Sequence, residues 1–321
     1  MPFKNVPQKF NASINEVVIG AGDAALVLGG ESVFPLYSFD EAFKNPPRVG
    51  IELSDLGPDR TLPCLAAFYD GANTIAEAAK RACEKSGAGF ISLLLDSADP
   101  NGADKTVEEC VALCKEVAAV VSIPLVIQGC KNSEKDAKLF EKIAEALQGS
   151  NVLLLSAKEE NHKAVSVAAV MAYGQKIGAE SSVDINLAKQ LNVLISQLGV
   201  QAGNTVMNLG SAAAGYGFEY VSSTMDRVKS AALAQNDAML QMPIITSVGS
   251  EAWSVKESVT GEEDFPAWGP GEQRGISMEI ATAAASLASG SNAVILRHPD
   301  SVPVISKLIA ELMQGGSNYG A

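Results

Sequence analysis

The sequence has few of the residues from which metal centres are built. Its 321 residues include two histidines and five cysteines, and no two cysteines stand in a C-x-x-C arrangement. Metal sites need clustered Cys, His or carboxylate ligands, and an iron–sulfur cluster normally needs four thiolates. Cys110 and Cys114 lie one helical turn apart on an apolar stripe, a pattern more typical of small buried residues than of ligands. The composition therefore predicts that this chain holds no metal and no iron–sulfur cluster.

Long apolar runs and clustered positive charge are also missing. No stretch of about 18 apolar residues is present, which argues against a membrane-spanning helix, and the N-terminal MPFKNVPQKFNAS lacks the apolar core of a secretory signal. We therefore expect a cytoplasmic protein with reduced cysteines. The formal net charge of −13 repels nucleic acid and anionic lipid, so we expect neither nucleic acid nor membrane as a partner.

The sequence does contain a regular alternation of apolar runs with amphipathic segments. Eight runs begin at Arg48, Gly89, Pro124, Asn151, Ser181, Asn204, Met242 and Asn292. They are nearly continuous in apolar residues, as parallel strands covered on both faces require. The segments between them, such as Thr106–Val121 and Glu159–Lys176, read as helices. Eight strands each followed by a helix predict an α/β protein, a closed (β/α)8 TIM barrel, with a doubly wound open sheet as the alternative.

The segment VVIGAGDAA at residues 17–25 resembles the start of a dinucleotide-binding strand and turn. Such a fingerprint needs a helix of about three turns after its glycines. Gly29, Gly30 and Pro35 follow too soon to leave room for that helix. We predict instead a β-hairpin from Glu16–Gly20 and Ala24–Leu28. The chain is then divided into an N-terminal extension with this hairpin (1–47), the barrel (48–314) and a flexible tail (315–321).

Polar side chains follow the predicted strands, and the strand ends of a barrel converge on one mouth. The set comprises Asp55, Asp96, Asp99, Gln128, Ser156, Asp184, Asn186, Asn208, Ser247, Arg297 and His298. Carboxylates and amides with few cations suit a neutral or amide-rich ring better than a phosphate. The alternative for each is a helix cap or loop hydrogen bond, and for His298 a bond to a loop carbonyl.

Lys158 follows the fourth predicted strand, where an aldolase-like barrel can carry a Schiff-base lysine. The adjacent Glu159 and Glu160 favour instead a solvated lysine at the start of a helix. Two long connections, Ser54–Asn73 and Gly249–Glu272, are expected on the same face of the barrel as the strand ends. We therefore predict no catalytic residue, and a mouth that serves recognition.

Nine stretches between Ile51 and Val302 together resemble one known family, the small (delta) subunit of the corrinoid iron–sulfur protein of the acetyl-CoA pathway. They are IELSD, LDSADPNGADKTVEEC, PLVIQGCKNSEKD, SAKEENHK, DINLAKQLN, AAGYGFEY, MPIITSVGSEAWSVKE, WGPGEQRG and RHPDSV. The resemblance implies a TIM barrel preceded by a β-hairpin and paired with a large subunit. In that family the large subunit holds the [4Fe-4S] cluster and the cobalamin-carrying domain.

The resemblance also implies a function for the pair of subunits. The complex takes a methyl group from methyltetrahydrofolate through its methyltransferase and delivers it to acetyl-CoA synthase, while the small subunit caps the corrinoid at the subunit interface. The residues expected to face the corrinoid are Asp96, Gln128, Ser156, Asp184, Asn186, Asn208, Ser247 and His298. The alternative is a stand-alone pterin-binding methyltransferase barrel that grips the pterin ring with Asp96, Asp184 and Asn208. One departure from the family is the pair Asn208-Leu209, where several relatives have D-P.

Overall fold

The computed structural model describes residues 6–314, so the tail predicted at 315–321 lies outside the described residues. Strands β1 (Val17–Ile19) and β2 (Leu26–Leu28) pair antiparallel, with Val17 opposite Leu28. Their buried side chains pack on apolar residues of the barrel strands, including Phe90 and Leu153. The predicted hairpin is confirmed, and it covers the N-terminal end of the barrel, where Gly20 N–H donates to Asn151 O at 2.8 Å.

Eight parallel strands form the barrel. They are β3 (Arg48–Ser54), β4 (Phe90–Leu94), β5 (Leu125–Gln128), β6 (Leu153–Ala157), β7 (Lys176–Glu180), β8 (Thr205–Asn208), β9 (Ile245–Ser247) and β10 (Ala293–Leu296). The strand order is β8-β7-β6-β5-β4-β3-β10-β9. A bridge between Met207 and Ile244 joins the two edge strands, and Met207 N–H donates to Pro243 O at 2.8 Å. The predicted (β/α)8 barrel is confirmed, since this contact closes the sheet on itself.

The helices lie between the strands, and the longer ones cover the outside of the barrel. They are α1 (Pro63–Phe68), α2 (Ile75–Lys85), α3 (Val107–Val120), α4 (Ser133–Ala146), α5 (His162–Val165), α6 (Ile185–Gln197), α7 (Phe218–Ala234), α8 (Val248–Ala252), α9 (Lys256–Val259), α10 (Gly271–Ser289) and α11 (Ser301–Gln314). Helices α2 and α3 begin at capping boxes, in which Thr74 and Thr106 accept from the N–H of Glu77 and Glu109. Local sequence thus defines these helix starts.

The fifth barrel strand was predicted at the wrong place. The run beginning at Ser181 starts as a loop, and the strand is β7, which begins at the last residue of the predicted helix Glu159–Lys176 and ends before that run. That helix is α5 with a π-helical continuation, Ser166–Ala172. The residues KIGAE form a strand because they pair on both sides, with Ile177 opposite Leu154 and Thr205. Pairing partners far away in sequence override a weak local pattern.

The N-terminal extension is joined to the barrel by a buried ion pair. Lys229 Nζ in α7 lies 2.7 Å from Glu31 Oε1 and donates to Asn292 Oδ1 at 3.0 Å. Asn292 also donates to Glu31 Oε1, at 2.8 Å. Both charged side chains are almost fully buried. The extension is therefore part of the folded unit, because separating it would leave two charges unpaired in a low-dielectric interior.

Candidate functional site

A buried carboxylate, that of Glu52 in β3, lies at the centre of the barrel mouth. Its Oε1 accepts from Nε and Nη2 of Arg297 at 3.1 and 2.8 Å. Its Oε2 accepts from Gln128 Nε2 at 3.2 Å and from Ser250 Oγ at 3.0 Å. Ser247 Oγ in turn donates to Gln128 Oε1 at 3.0 Å. This network joins four barrel strands and α8 across the mouth and leaves a cavity on each side.

The first mouth cavity has a volume of about 180 Å³ and lies over the ends of β5 to β9. Four predicted site residues line it, namely Gln128, Ser156, Asn208 and Ser247. Asn208 Nδ2 donates to Ser156 Oγ at 3.2 Å and to Glu180 Oε2 at 3.5 Å. Lys158 Nζ lies 3.2 Å from Glu180 Oε1. The lining therefore offers hydroxyl, amide, ammonium and carboxylate groups within one small space.

The second mouth cavity has a volume of about 130 Å³ and lies over the ends of β10, β3 and β4. Asp96 lines it, and Asp96 Oδ2 accepts from Ser54 Oγ at 2.6 Å. Burial raises the pKa of the Asp96 carboxyl, an effect reinforced by the nearby Glu52 and Asp55 and opposed by the Ser54 hydrogen bond. The Arg297 guanidinium forms another wall of this cavity. Asp96 is thus in a different cavity from the other converging residues.

Three of the eight residues expected to face the corrinoid lie outside both cavities. Asp184 is the N-cap of α6, and its Oδ1 accepts from the N–H of Asn186 at 2.6 Å and of Leu187 at 3.2 Å. Asn186 is exposed in the first turn of that helix. His298 is fully buried, stacks on Trp253 and has Nε2 3.2 Å from Glu272 Oε1. Asp184 and Asn186 were expected at the mouth because the fifth strand was predicted too late in the sequence. The residue that ends this strand, β7, is Glu180.

Asp55 and Asp99 stabilise loops beside the mouth. Asp55 Oδ1 accepts from the N–H of Ser97 at 2.8 Å, and Asp99 Oδ1 accepts from the N–H of Asn101 at 2.9 Å. The Asp99 bond lies within the loop that follows β4. The Asp55 bond joins that loop to the loop that follows β3. These two carboxylates therefore have the loop-stabilising role that was the alternative for every residue of the set.

Sequence reasoning missed Glu52 and Glu180 as mouth residues and set Lys158 aside. Glu52 had a signal, since it is the one charged residue within the apolar run VGIELS. A carboxylate in the middle of a buried strand needs a partner, and Arg297 is that partner. Glu180 had no such signal in the sequence, because its position at a strand end depends on strand pairing that no local pattern reports. Lys158 reaches the mouth because it follows β6 directly.

A further buried carboxylate, that of Glu279 in α10, supports the loop that carries Arg297. Its Oε1 accepts from the N–H of Arg297 at 2.5 Å and its Oε2 from the N–H of His298 at 3.2 Å. Complete burial raises the pKa of Glu279 to about 7, although these hydrogen bonds oppose the shift. Glu279 therefore positions the backbone after β10 and does not face either cavity.

The described part of the chain, residues 6–314, contains neither a metal-binding cluster nor a membrane-spanning helix. No group of three or more His, Cys, Asp or Glu residues there could hold a metal ion. Within the same residues no helix is both long enough and apolar enough to cross a bilayer.

The architecture is shared with solved dihydropteroate synthases. The enzyme from Vibrio fischeri ES114 superposes with a TM-score of 0.58 at 10% identity and covers 94% of this chain and 99% of that one. A dihydropteroate synthase from Coxiella burnetii, solved with pteroic acid, gives a TM-score of 0.56 at 9% identity over 85% and 95% of the two chains. At such identity the likeness shows the fold alone. The fold and the mouth thus define a (β/α)8 barrel with a polar, two-cavity mouth.

Sequence comparison identifies the family within that class. A family model described as CO dehydrogenase/acetyl-CoA synthase delta subunit matches residues 16–307. The acetyl-CoA decarbonylase/synthase complex subunit delta of Archaeoglobus fulgidus is 30% identical over 99% of this chain and 72% of its own length. The corresponding subunit of Methanopyrus kandleri is 31% identical over 92% and 72%. The chain belongs to the CO dehydrogenase/acetyl-CoA synthase delta subunit family, which confirms the resemblance noted in the sequence.

Proposed function

We propose that this chain is the small, non-catalytic subunit of a heterodimeric corrinoid iron–sulfur methyl carrier in the cytoplasm. The large subunit holds the corrinoid and the [4Fe-4S] cluster, and this chain caps the corrinoid at the interface. The carrier accepts a methyl group from methyltetrahydrofolate through its methyltransferase and delivers it to acetyl-CoA synthase. The observation that carries the proposal is the family match, which extends over residues 16–307 and so includes the hairpin and nearly the whole barrel.

The mouth residues fit a corrinoid, whose rim bears neutral amide side chains. Ser211 Oγ lines the first mouth cavity, is buried and has no hydrogen-bond partner in the described chain. The hydroxyl of Ser156 and the amide of Asn208 stand beside it. Such groups donate to and accept from amides without adding net charge. We propose that the loops after Asp96, Gln128, Ser156, Asn208 and Ser247 face the corrinoid.

Asp184, Asn186 and His298 are left out of this contact set. The Asp184 side chain caps α6, Asn186 lies on the surface of that helix, and His298 is buried beneath the mouth. A bound corrinoid supplies the cobalt that carries the methyl group. The contribution of this chain is to cover the face of that group and keep water from it, which is what a cap on a reactive cofactor provides.

Crosslinking within the co-expressed pair tests the placement. Lys131 and Lys158 line the first mouth cavity, whereas Lys44 pairs with Glu16 beside the hairpin at the opposite end. We expect a 1:1 complex that contains cobalt and iron, with amine-reactive crosslinks from Lys131 or Lys158 to the corrinoid domain. Lys131→Arg and Lys158→Arg should remove those crosslinks, and Lys44→Arg should not. Crosslinks confined to Lys44 would contradict the placement.

Binding of methyltetrahydrofolate to the isolated chain tests the alternative of a pterin methyltransferase. The three residues considered for a pterin grip are separated, since Asp96 lies in the second cavity, Asn208 in the first and Asp184 in neither. We therefore expect no saturable binding by calorimetry and no methyl transfer to free cobalamin. Tight binding or transfer by this chain alone would favour the stand-alone enzyme.

A further inference from the structure

One residue in the lining of the second mouth cavity has a buried hydroxyl group whose hydrogen bonding is incomplete. Tyr69, at the C-terminal end of α1, is 1% exposed and lines this cavity. Its hydroxyl has no hydrogen-bond partner among residues 6–314. Burial raises the pKa of this phenol well above its ordinary value, so the group remains a neutral donor at physiological pH. A buried donor without a partner is costly, and such a group in a cavity wall points to a ligand.

The charges around the cavity decide what kind of ligand it accepts. Arg297 is the cation in its lining, and Glu52 already pairs with it at 2.8 Å. The carboxylates of Asp59 and Asp96 also line the cavity. An anionic ligand would meet three carboxylates against one paired cation, so repulsion disfavours it. The lining therefore suits a neutral group that both accepts and donates hydrogen bonds.

We propose that the second mouth cavity is a subsite for a primary carboxamide. The carbonyl oxygen of such a group accepts from the Tyr69 hydroxyl, and its NH₂ donates to Asp96 or Asp59. A cavity of about 130 Å³ has room for a short amide side chain. The molecule that supplies the carboxamide follows from the proposed function. It is either the rim of the corrinoid or an Asn or Gln side chain of the large subunit.

Titration of small amides into the purified full-length chain tests the subsite. Propionamide is expected to give saturable shifts of the backbone amide resonances of Gly57 and Leu65, which line the cavity, while propionate at the same concentrations gives none. Tyr69→Phe keeps the ring and removes the hydroxyl, so it should weaken propionamide binding between about threefold and tenfold. Tyr37→Phe, at a half-exposed ring outside the cavity, is the control and should leave the affinity unchanged.

Two further titrations distinguish the sources of the amide. Displacement of propionamide by cobinamide assigns the site to the corrinoid rim, and displacement by the large subunit stripped of corrinoid assigns it to a partner side chain. If propionamide and propionate behave alike, or if neither competitor displaces propionamide, the subsite proposal is wrong. The comparison of propionamide with propionate on the wild-type chain remains a valid test even if Tyr69→Phe does not fold. None of these results bears on the crosslinking test, so the failure of one proposal is distinguishable from the failure of the other.

Discussion

Glu52 and Arg297 form a two-bond ion pair across neighbouring parallel strands, immediately after the register pair Ile51–Leu296. The Glu52 side chain is 1% exposed and that of Arg297 is 33% exposed. The ion pair with Glu52 keeps the pKa of Arg297 above its ordinary value although burial opposes this. The pair forms part of the wall of the second mouth cavity, so its loss should change both the stability of the protein and the shape of that cavity.

Glu52→Gln should destabilise the protein by about 2 kcal/mol, because it leaves the Arg297 charge without its partner. The loss is expected to be smaller than the roughly 3–5 kcal/mol of a fully buried pair, since water reaches part of Arg297. Urea unfolding at neutral pH measures the change. Glu160→Gln, at an exposed glutamate, is the control and should lie within about 0.5 kcal/mol of wild type. Equal effects of the two substitutions would show that the ion pair contributes nothing.

Asn208→Asp should make stability depend on pH. The new carboxyl would replace an amide that lies 3.5 Å from Glu180 Oε2, so two like charges would meet. Their repulsion raises the pKa of the pair, and the variant should lose stability relative to wild type as the pH rises through that pKa. We expect a larger deficit at pH 8 than at pH 5 in urea unfolding. Asn186→Asp, in the first turn of α6 where a helix dipole favours a carboxylate, should show no such deficit.

Glu279→Gln should remove a pH dependence that the wild-type protein has. The folded pKa of Glu279, about 7, lies above the 4.5 of an ordinary glutamate. Between these values the folded state binds more protons than the unfolded state, so the contribution of Glu279 to stability falls as the pH rises and levels off above about pH 7. The variant should therefore gain stability relative to wild type as the pH rises. Urea midpoints at pH 5, 6, 7 and 8 measure this difference. Glu141→Gln, at an exposed glutamate, should give a constant difference, and parallel curves for both variants would contradict the assignment.

Lys229→Met should destabilise the protein by about 3–5 kcal/mol, because Glu31 would remain as an unpaired buried charge. Adding Glu31→Leu to the same chain should restore a large part of that loss, which a double-mutant cycle measures. Lys44→Met, which breaks the exposed pair with Glu16, should cost less than about 1 kcal/mol. Additive effects of the two buried substitutions would show that the N-terminal extension is not energetically coupled to α7.

The sequence correctly predicted the site residues that come directly after, or at the end of, a strong apolar run. Gln128 after LVI, Ser156 within LLLSA and Asn208 after TVM reach the mouth because each such run can only be a buried strand. Asp184 was misjudged because the preceding loop SSVD resembled a strand more than the true strand KIGAE does. Gly178 in KIGAE weakens the local pattern, yet the gap it leaves is filled by the Leu155 side chain of β6.

The sequence by itself determined the order of the elements, the hairpin and the barrel class, because apolar periodicity, caps and turn glycines act over a few residues. Only the tertiary structure decided where β7 lies, that His298 is buried against Trp253, and that Glu52 pairs with Arg297 in the wall of the second mouth cavity. These features depend on partners more than 20 residues apart in the sequence, and the pairing of strands, the burial of charge and the shape of a cavity exist only when those partners meet.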